Sequence, residues 1–301
     1  MKKIIFWGTP EFSLPSLEAL VKLDLVKAVV TQSDKPAGRG QKLNISPIKK
    51  YALEHNLFVL QSDVLDEAFV NELKQFLPAT FVIVAFGKII PQAILDLSEL
   101  AALNIHPSKL PILRGPSPIQ TALLEGFSST AVSLMQLDAK MDHGPILGQI
   151  EAKIESTDDY LSLSHKLSQV GGELLAENIT HYLNSELKAI PQDDTKTTIC
   201  KLIKKEAGII NWQAPAINIL NQIRAYITWP KSSASLKGIK VKIEQAKISE
   251  LKLNPGEIKI INTQLFIGTS TNALEILKLQ PANKKSMSSA EFIRGYQNKL
   301  S

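Results

Sequence analysis

Hydrophobic positions in the first half of the chain fall into short β-branched runs separated by stretches with helical spacing. We predict strands at residues 3–7, 26–31, 81–86, 102–105, 131–136 and 149–154. Strands that alternate with helices are typical of a mostly parallel, doubly wound sheet, whose ligands bind beyond the carboxyl ends of the strands. The pattern therefore predicts a Rossmann-like α/β domain with its site just after Phe86 and Ile105.

The second half of the chain has a different pattern. A helical period runs from residue 158 to about residue 185, and residues 186–206 then lose any core-forming period. Short β-rich runs punctuated by Gly and Asn follow at residues 235–243, 256–261, 264–268 and 273–279. Since 301 residues suit two cores, we predict an α/β domain over 1–188, a linker over 189–206 and an OB-like β-barrel over 207–301.

Composition narrows the class of protein. Apolar residues make up 44% and charged residues 21% of the chain, which is typical of a folded protein without long disordered tails. The apolar stretch that ends at Gly8 is too short for a membrane span or a signal peptide core. A single cysteine, Cys200, rules out an internal disulfide and suits a reducing compartment. We expect a cytoplasmic monomer with no membrane association.

Charge is distributed unevenly. Residues 207–301 carry thirteen Lys or Arg against five Glu, a balance of +8, whereas the whole chain has a net charge of only +5. A basic C-terminal domain suits a polyanionic partner. Lysines that keep strand faces soluble and block edge pairing are the alternative explanation.

The densest chemical signal is Asn-Ile-His-Pro-Ser-Lys-Leu-Pro at residues 104–111, where a predicted strand ends. Asn104 and His106 point to the same side of an extended strand, because side chains alternate with period two. An amide and an imidazole can together donate hydrogen bonds to the oxygen of a tetrahedral intermediate. Asp142, in the turn-rich segment 137–145, can hold the imidazole and favour its protonated form. A structural histidine and a turn-forming aspartate are the alternatives.

Two other kinds of site are weaker. His143 adjoins Asp142, but its side chain must diverge from that of Asp142, so it ranks second to His106. His106, Asp142 and His143 lack the HExxH or CxxC spacing of common metal sites, and we expect no metal. The basic, Gly-rich stretch 31–43 lacks the GxGxxG order of a dinucleotide site.

Several motifs occur together in a fixed order. They are Phe-Trp-Gly-Thr-Pro-Glu-Phe at 6–12, Thr-Gln-Ser-Asp-Lys-Pro-Ala-Gly-Arg-Gly at 31–40, Ala-Phe-Gly-Lys-Ile-Ile-Pro at 85–91, the segment 104–111, and Met-Asp-His-Gly at 141–144. With this set the chain resembles the 10-formyltetrahydrofolate-dependent formyltransferases nearly from end to end. Trp229-Pro230 and Leu-Gln-Pro-Ala-Asn-Lys-Lys at 279–285 resemble the tRNA-acting members of that family.

The resemblance implies a function and a set of site residues. Asn104, His106 and Asp142 would be catalytic in formyl transfer from 10-formyltetrahydrofolate to the α-amino group of methionyl-initiator tRNA. The implied folate-binding residues are Phe86, Gly87, Ile89, Ser108, Lys109, Leu110 and Pro111. Lys109 departs from the family pattern, which usually has an apolar residue there.

The resemblance also implies that the loop 31–43 enters the acceptor end of the tRNA and that Arg39 orients the aminoacyl group. The implied tRNA-binding residues are Lys35, Arg39, Lys42, Lys204, Lys205, Lys284 and Lys285. Formyl transfer to a nucleotide-linked amino sugar is the main alternative, and glycinamide ribonucleotide is a weaker one. A tRNA-binding module with a silent catalytic domain is the alternative from another class.

Overall fold

The computed structural model describes residues 2–37 and 42–300, and for Pro36, Ala37 and Lys42 it describes the backbone only. The chain forms two compact units. The first comprises Met1–Gly115, Ser129–Lys153 and Ser164–Ile199, and the second comprises Pro116–Ser128, Ile154–Leu163 and Cys200–Ser301. The division into 1–188, 189–206 and 207–301 stays a prediction.

A seven-stranded sheet forms the centre of the first unit. The strands of this unit are β1 (Ile4–Gly8), β2 (Val26–Thr31), the short antiparallel pair β3 (Lys35–Ala37) and β4 (Lys42–Asn44), β5 (Phe58–Gln61), β6 (Thr80–Val84), β7 (Leu103–His106), β8 (Ser129–Gln136) and β9 (Ile146–Lys153). The sheet order is β5-β2-β1-β6-β7-β8-β9. Its pairs are parallel from β5 to β7, and β8 is antiparallel to both of its neighbours.

Helices follow several of these strands. They are α1 (Leu14–Lys22), α2 (Pro47–Glu54), α3 (Glu67–Lys74), α4 (Gln92–Leu95), α5 (Pro118–Leu124) and α6 (Tyr160–Leu183). Ser46 and Asp66 cap α2 and α3, because each side-chain oxygen accepts a backbone N–H of the first turn at 3.0 Å. All five residues of β1 are buried, as expected for a central parallel strand covered on both faces.

One close approach fixes which face of β7 is covered by a helix. A Cβ at Gly171 in α6 would lie 2.9 Å from Cγ2 of Ile105, so α6 packs directly on the face of β7 that carries Ile105. Because side chains alternate along a strand, Asn104 and His106 project from the opposite face. Asn104 and His106 therefore lie on the face of β7 that α6 does not cover.

The second unit contains an antiparallel sheet, several helices and the first residues of α6. Its strands are β10 (Ser232–Leu236), β11 (Ile239–Ile248), β12 (Ile258–Ile261), β13 (Gln264–Ile267), β14 (Leu274–Pro281) and β15 (Met287–Ser288), and α5 is joined by α7 (Ala216–Ala225) and α8 (Ser289–Leu300). The sheet order is β10-β11-β14-β13-β12, with β15 paired to β14. Residues such as Ile243, Leu265, Leu279 and Phe292 form its core. The predicted fold class, a mostly parallel α/β domain followed by a C-terminal β-barrel domain, is confirmed.

Two differences from the sequence prediction have a local physical cause. The single strand expected over 235–243 is two strands, since Lys237 and Gly238 have φ values of 47° and 82° and form a tight hairpin turn. The edge strand β5 was not predicted, and its first residue, Phe58, is 67% exposed. An edge strand that is only partly buried lacks the continuous apolar run used to find the central strands. Within the described ranges, every helix is too short or too polar to cross a membrane.

Candidate active site

The carboxyl end of β7 presents the amide and the imidazole that the sequence analysis singled out. Asn104 pairs with Ile83 of β6 on one side and with Met135 of β8 on the other. Asn104 is half-buried, whereas His106 is only 4% exposed. Pairing with β6 and β8 thus fixes the backbone of β7, from which the side chains of Asn104 and His106 project.

Both ring nitrogens of His106 face oxygen atoms. Nε2 lies 3.0 Å from the carbonyl oxygen of Leu113, and a carbonyl only accepts, so Nε2 carries the hydrogen of this bond. Nδ1 lies 3.6 Å from Oδ1 of Asp142, just beyond direct hydrogen-bond distance. A proton on Nδ1 would therefore give a buried imidazolium facing a carboxylate.

Asp142 is held by its other carboxylate oxygen. Oδ2 accepts the backbone N–H of Gly115 at 2.8 Å, which leaves Oδ1 directed towards His106. Asp142 and Leu113, the two residues whose oxygens face the imidazole, have φ values of 49° and 58°. Left-handed backbone at a residue other than glycine costs roughly 1–3 kcal/mol and persists only where the surroundings enforce it.

The route of the chain to Asp142 follows from the direction of β8. Because β8 is antiparallel to β7, its last residue, Gln136, pairs with Leu103 at the amino end of β7. The segment after β8 therefore starts at the far end of β7 and must return to bring Asp142 beside His106. Gly144 permits this return, since a Cβ there would lie 2.0 Å from the carbonyl oxygen of Gln136.

A second layer of polar side chains surrounds this segment. Gln192 donates from Nε2 to the carbonyl oxygens of Asp142 at 2.9 Å and Gly144 at 2.7 Å. Its Oε1 accepts from Nε and Nη2 of Arg114, at 3.0 and 2.8 Å. Sequence reasoning missed Gln192, which lies in the stretch assigned to a linker. No role was predicted for Arg114, and the one available signal was a basic residue just after the 104–111 segment.

The neighbouring His143 has different partners. Its Nδ1 lies 2.6 Å from Oδ2 of Asp138, and its Nε2 lies 3.4 Å from Oδ2 of Asp194. Nη2 of Arg114 donates to Oδ1 of Asp194 at 2.8 Å. That hydrogen bond holds the pKa of Asp194 below its usual value against the opposing effect of desolvation. Among the described residues, no group of three or more His, Cys, Asp or Glu is arranged to hold a metal ion.

Of the residues expected to bind folate after β6, Phe86 is buried, whereas Gly87 and Ile89 are exposed. Phe86 is buried and lies edge-on to Trp7, with ring centroids 5.2 Å apart. Its carbonyl oxygen accepts from Nε2 of Gln32 at 2.8 Å and from Oγ1 of Thr9 at 3.0 Å. Ile89, by contrast, is 95% exposed. The structure therefore places an exposed apolar side chain close to the carboxyl edge of the sheet.

The segment expected to bind folate after β7 is held by hydrogen bonds within the first unit. The Oγ of Ser133 donates to the carbonyl oxygen of Ser108 at 2.6 Å. Gln149 donates to the carbonyl oxygen of Leu110 at 3.0 Å. Leu110 joins Pro111 through a cis peptide bond. These contacts fix the shape of the segment and engage much of its backbone.

Lys109 forms an ion pair with Glu151 of β9, and the Lys109 hydrogen bond lowers the pKa of that carboxyl group. Both side chains are more than half exposed. Lys109 therefore has a partner on the edge strand β9, and an exposed ion pair of this kind contributes little to stability.

The predicted tRNA-binding residues are spread along the chain. Exposed side chains are found at Lys35, Lys204, Lys205, Lys284 and Lys285. Lys42 lies in β4, and Arg39 lies outside the described residues. Sequence reasoning missed an open depression of about 400 Å³ in the second unit, which Lys237, Lys240 and Lys299 line together with Tyr296.

Comparison with known proteins defines the class to which this fold and site belong. A model described as "Formyl transferase" matches residues 2–179, and a model described as "Formyl transferase, C-terminal domain" matches residues 202–297. The two models together cover both halves of the chain, in the order that the fold shows. The class is therefore that of the formyl transferases.

Individual relatives narrow this class. The chain is 41% identical over 294 residues to "Methionyl-tRNA formyltransferase" of Thermodesulfovibrio yellowstonii, covering 97% of this chain and 95% of that protein. It is 38% identical over 298 residues to the protein of the same name from Pelobacter propionicus, covering 98% of this chain and 93% of that protein. The chain belongs to the methionyl-tRNA formyltransferase family.

A solved structure supports the fold. It is an N-formyltransferase from Helicobacter canadensis, in complex with folinic acid and dTDP-3-aminofucose. It matches with a TM-score of 0.70 and 22% identity, and the match covers 93% of this chain and 100% of that one. At this identity the likeness shows a shared fold only.

Proposed function

We propose that this chain transfers the formyl group of 10-formyltetrahydrofolate to the α-amino group of methionyl-initiator tRNA, and so produces N-formylmethionyl-tRNA for translation initiation. The observation that carries the proposal is the pairing of buried His106, on the face of β7 that also carries Asn104, with partly buried Asp142. The proposed substrates are inferred from the family to which the chain belongs. We further propose that the enzyme acts as a monomer in the cytoplasm.

The folate site in this proposal lies at the carboxyl edge shared by β6 and β7. Phe86, Gly87 and Ile89 follow β6, and the segment from Ser108 to Pro111 follows β7. The exposed side chain of Ile89 suits the apolar face of a planar ring system. Because the backbone of Ser108 and Leu110 is already hydrogen-bonded within the unit, we assign this segment the task of shaping the pocket.

10-Formyltetrahydrofolate supplies an electrophilic formyl carbon and a leaving group at N10. Asn104 donates its side-chain N–H to the formyl oxygen as negative charge develops there during attack by the neutral α-amine. His106 stabilises the same charge, and to do so it exchanges its hydrogen bond with Leu113 for one with the formyl oxygen. Asp142 keeps the imidazole oriented and accepts the amine proton through a water molecule. A bond forms between the amine nitrogen and the formyl carbon, the bond to N10 breaks, and the proton ends on N10.

The acceptor tRNA in this proposal contacts the basic C-terminal domain and the basic loop after β2. We assign phosphate contacts to Lys204, Lys205, Lys284 and Lys285, and we add the three lysines of the open depression. Lys35, Arg39 and Lys42 would approach the aminoacyl end. Contacts of lysine with phosphates raise affinity without reading sequence, so binding should weaken steeply with salt.

The experiment that tests the proposed function measures transfer of labelled formyl from 10-formyltetrahydrofolate to three acceptors. These are methionyl-initiator tRNA, the same tRNA without methionine, and a nucleotide-linked amino sugar. We expect transfer to the charged tRNA alone. Transfer only to the sugar amine would keep the catalytic centre and replace the acceptor, whereas no transfer to any of them would overturn the proposal.

Asn104→Ala in the same assay tests the oxyanion role. Removing one preorganised donor typically costs about 10²–10³-fold in kcat, and we expect a loss in that range with unchanged tRNA binding. Asn184→Ala is the matched control, because Asn184 is exposed just after α6. Unchanged turnover of Asn104→Ala would remove Asn104 from the mechanism.

A further inference from the structure

The backbone around Asp142 needs support from outside its own segment. Asp142 adopts a left-handed conformation, and the segment that carries it starts at the far end of β7. A left-handed conformation at a residue other than glycine persists only where the surrounding structure enforces it. The distance of 3.6 Å between Asp142 and His106 therefore depends on residues that need not take part in the reaction.

Gln192 uses its whole amide group at this point. Nε2 donates to the carbonyl oxygens of Asp142 and Gly144, which lie on either side of His143. Oε1 accepts two hydrogen bonds from Arg114, whose side chain is largely buried. One side chain therefore ties two carbonyls of the Asp142 segment to a buried guanidinium group.

Arg114 lies between the two residues whose backbone contacts the catalytic pair. The carbonyl oxygen of Leu113 accepts from His106, and the N–H of Gly115 donates to Asp142. The backbone of Arg114 is itself fixed, because its N–H donates to the carbonyl oxygen of Thr198 at 2.9 Å. Gln192 thus joins the Asp142 segment to the same piece of backbone that holds His106.

We propose that Gln192, supported by Arg114, is the positioning residue that fixes the Asp142 segment against His106. This inference deepens the proposed function and rests on it, since it assigns Gln192 a role only through Asp142. Gln192 touches neither the imidazole nor the carboxylate. It acts by keeping the carboxylate oriented, and small displacements of a catalytic group can cost about 10²-fold in rate.

The test is a double-mutant cycle between Gln192→Glu and Asp142→Asn. Glutamate keeps an acceptor for Arg114 but puts a carboxylate oxygen in place of the N–H donor, so it removes the two hydrogen bonds to the segment carbonyls and repels both carbonyl oxygens. We expect Gln192→Glu to lower kcat at least tenfold, with KM for both substrates within about threefold of the wild-type value. In the Asp142→Asn background the same change should lower kcat by less than threefold, because the group being positioned is gone.

Gln169→Glu is the matched control, since Gln169 is exposed on α6 and the change in charge is identical. Gln192→Ala is the second variant should the glutamate destabilise the fold, and thermal unfolding checks both. Wild-type kcat in either folded variant, or an equal loss in both backgrounds, would overturn the inference. Asp142→Asn with wild-type turnover would instead overturn the catalytic role assigned to Asp142 in the proposed function.

Discussion

The two regions assigned to the reaction are built on opposite principles. In the first unit, a few largely buried groups each have fixed partners, and the side chain of His106 is only 6% exposed between Leu113 and Asp142. In the second unit, charge is spread over exposed lysines around an open depression. Buried groups with defined geometry act individually, whereas exposed charges act through a summed and screened field. Substitutions should therefore have large local effects in the first region and small cumulative ones in the second.

The largest effect should come from the histidine that faces Asp142. His106→Gln removes the group that stabilises developing charge, and we expect kcat to fall by about 10²–10⁴-fold, the range of acid–base and electrostatic contributions. His143→Gln tests the neighbouring candidate and should change kcat by less than threefold, because His143 bonds to Asp138. Single-turnover formylation assays compare the two. The reverse order of effects would move the catalytic role to His143.

An intermediate effect should come from the basic depression. Lys237→Ala combined with Lys240→Ala removes two exposed charges, and we expect KM for charged tRNA to rise roughly three- to tenfold at 0.1 M salt. The salt dependence of KM should also become shallower, by somewhat less than one logarithmic unit for each phosphate that the variant no longer neutralises.

Lys252→Ala combined with Lys259→Ala is the control for this measurement, because it removes the same charge from exposed positions of the same unit. Steady-state kinetics at several salt concentrations separates the two variants. Equal changes in both would show that net charge alone matters and that the depression has no special role.

The smallest effect should come from Lys109, the residue that the sequence analysis expects to depart from the family pattern. Lys109→Leu breaks an exposed ion pair with Glu151, and such pairs contribute about 0–1 kcal/mol. We expect the melting temperature to change by no more than about 2 °C and KM for 10-formyltetrahydrofolate by less than threefold. Glu151→Gln is the paired control, which breaks the same ion pair without altering the folate segment. A tenfold change in KM for Lys109→Leu alone would make the lysine a folate contact.

Part of this molecule was predictable because it depends on local periodicity. The central strands β1, β2, β6 and β7 were found from their apolar runs, and the predicted fold class is confirmed. The edge strand β5 was missed because a partly buried strand has no continuous apolar run. The turn at Lys237–Gly238 was missed because a lysine does not indicate a position with positive φ. The site residues were chosen by chemistry and resemblance, and their roles stay predictions.

The amino-acid sequence by itself determined the alternation of strands and helices, the shared face of Asn104 and His106, and the basic character of the C-terminal part. Each of these follows from side-chain period or composition, which neighbouring residues fully define. Only the tertiary structure decided that β8 is antiparallel, that Asp142 returns to His106, and that Gln192 donates a hydrogen bond to the backbone of Asp142. These interactions join residues that are 36 and 50 positions apart, and pairing at such separations depends on the packing of whole elements.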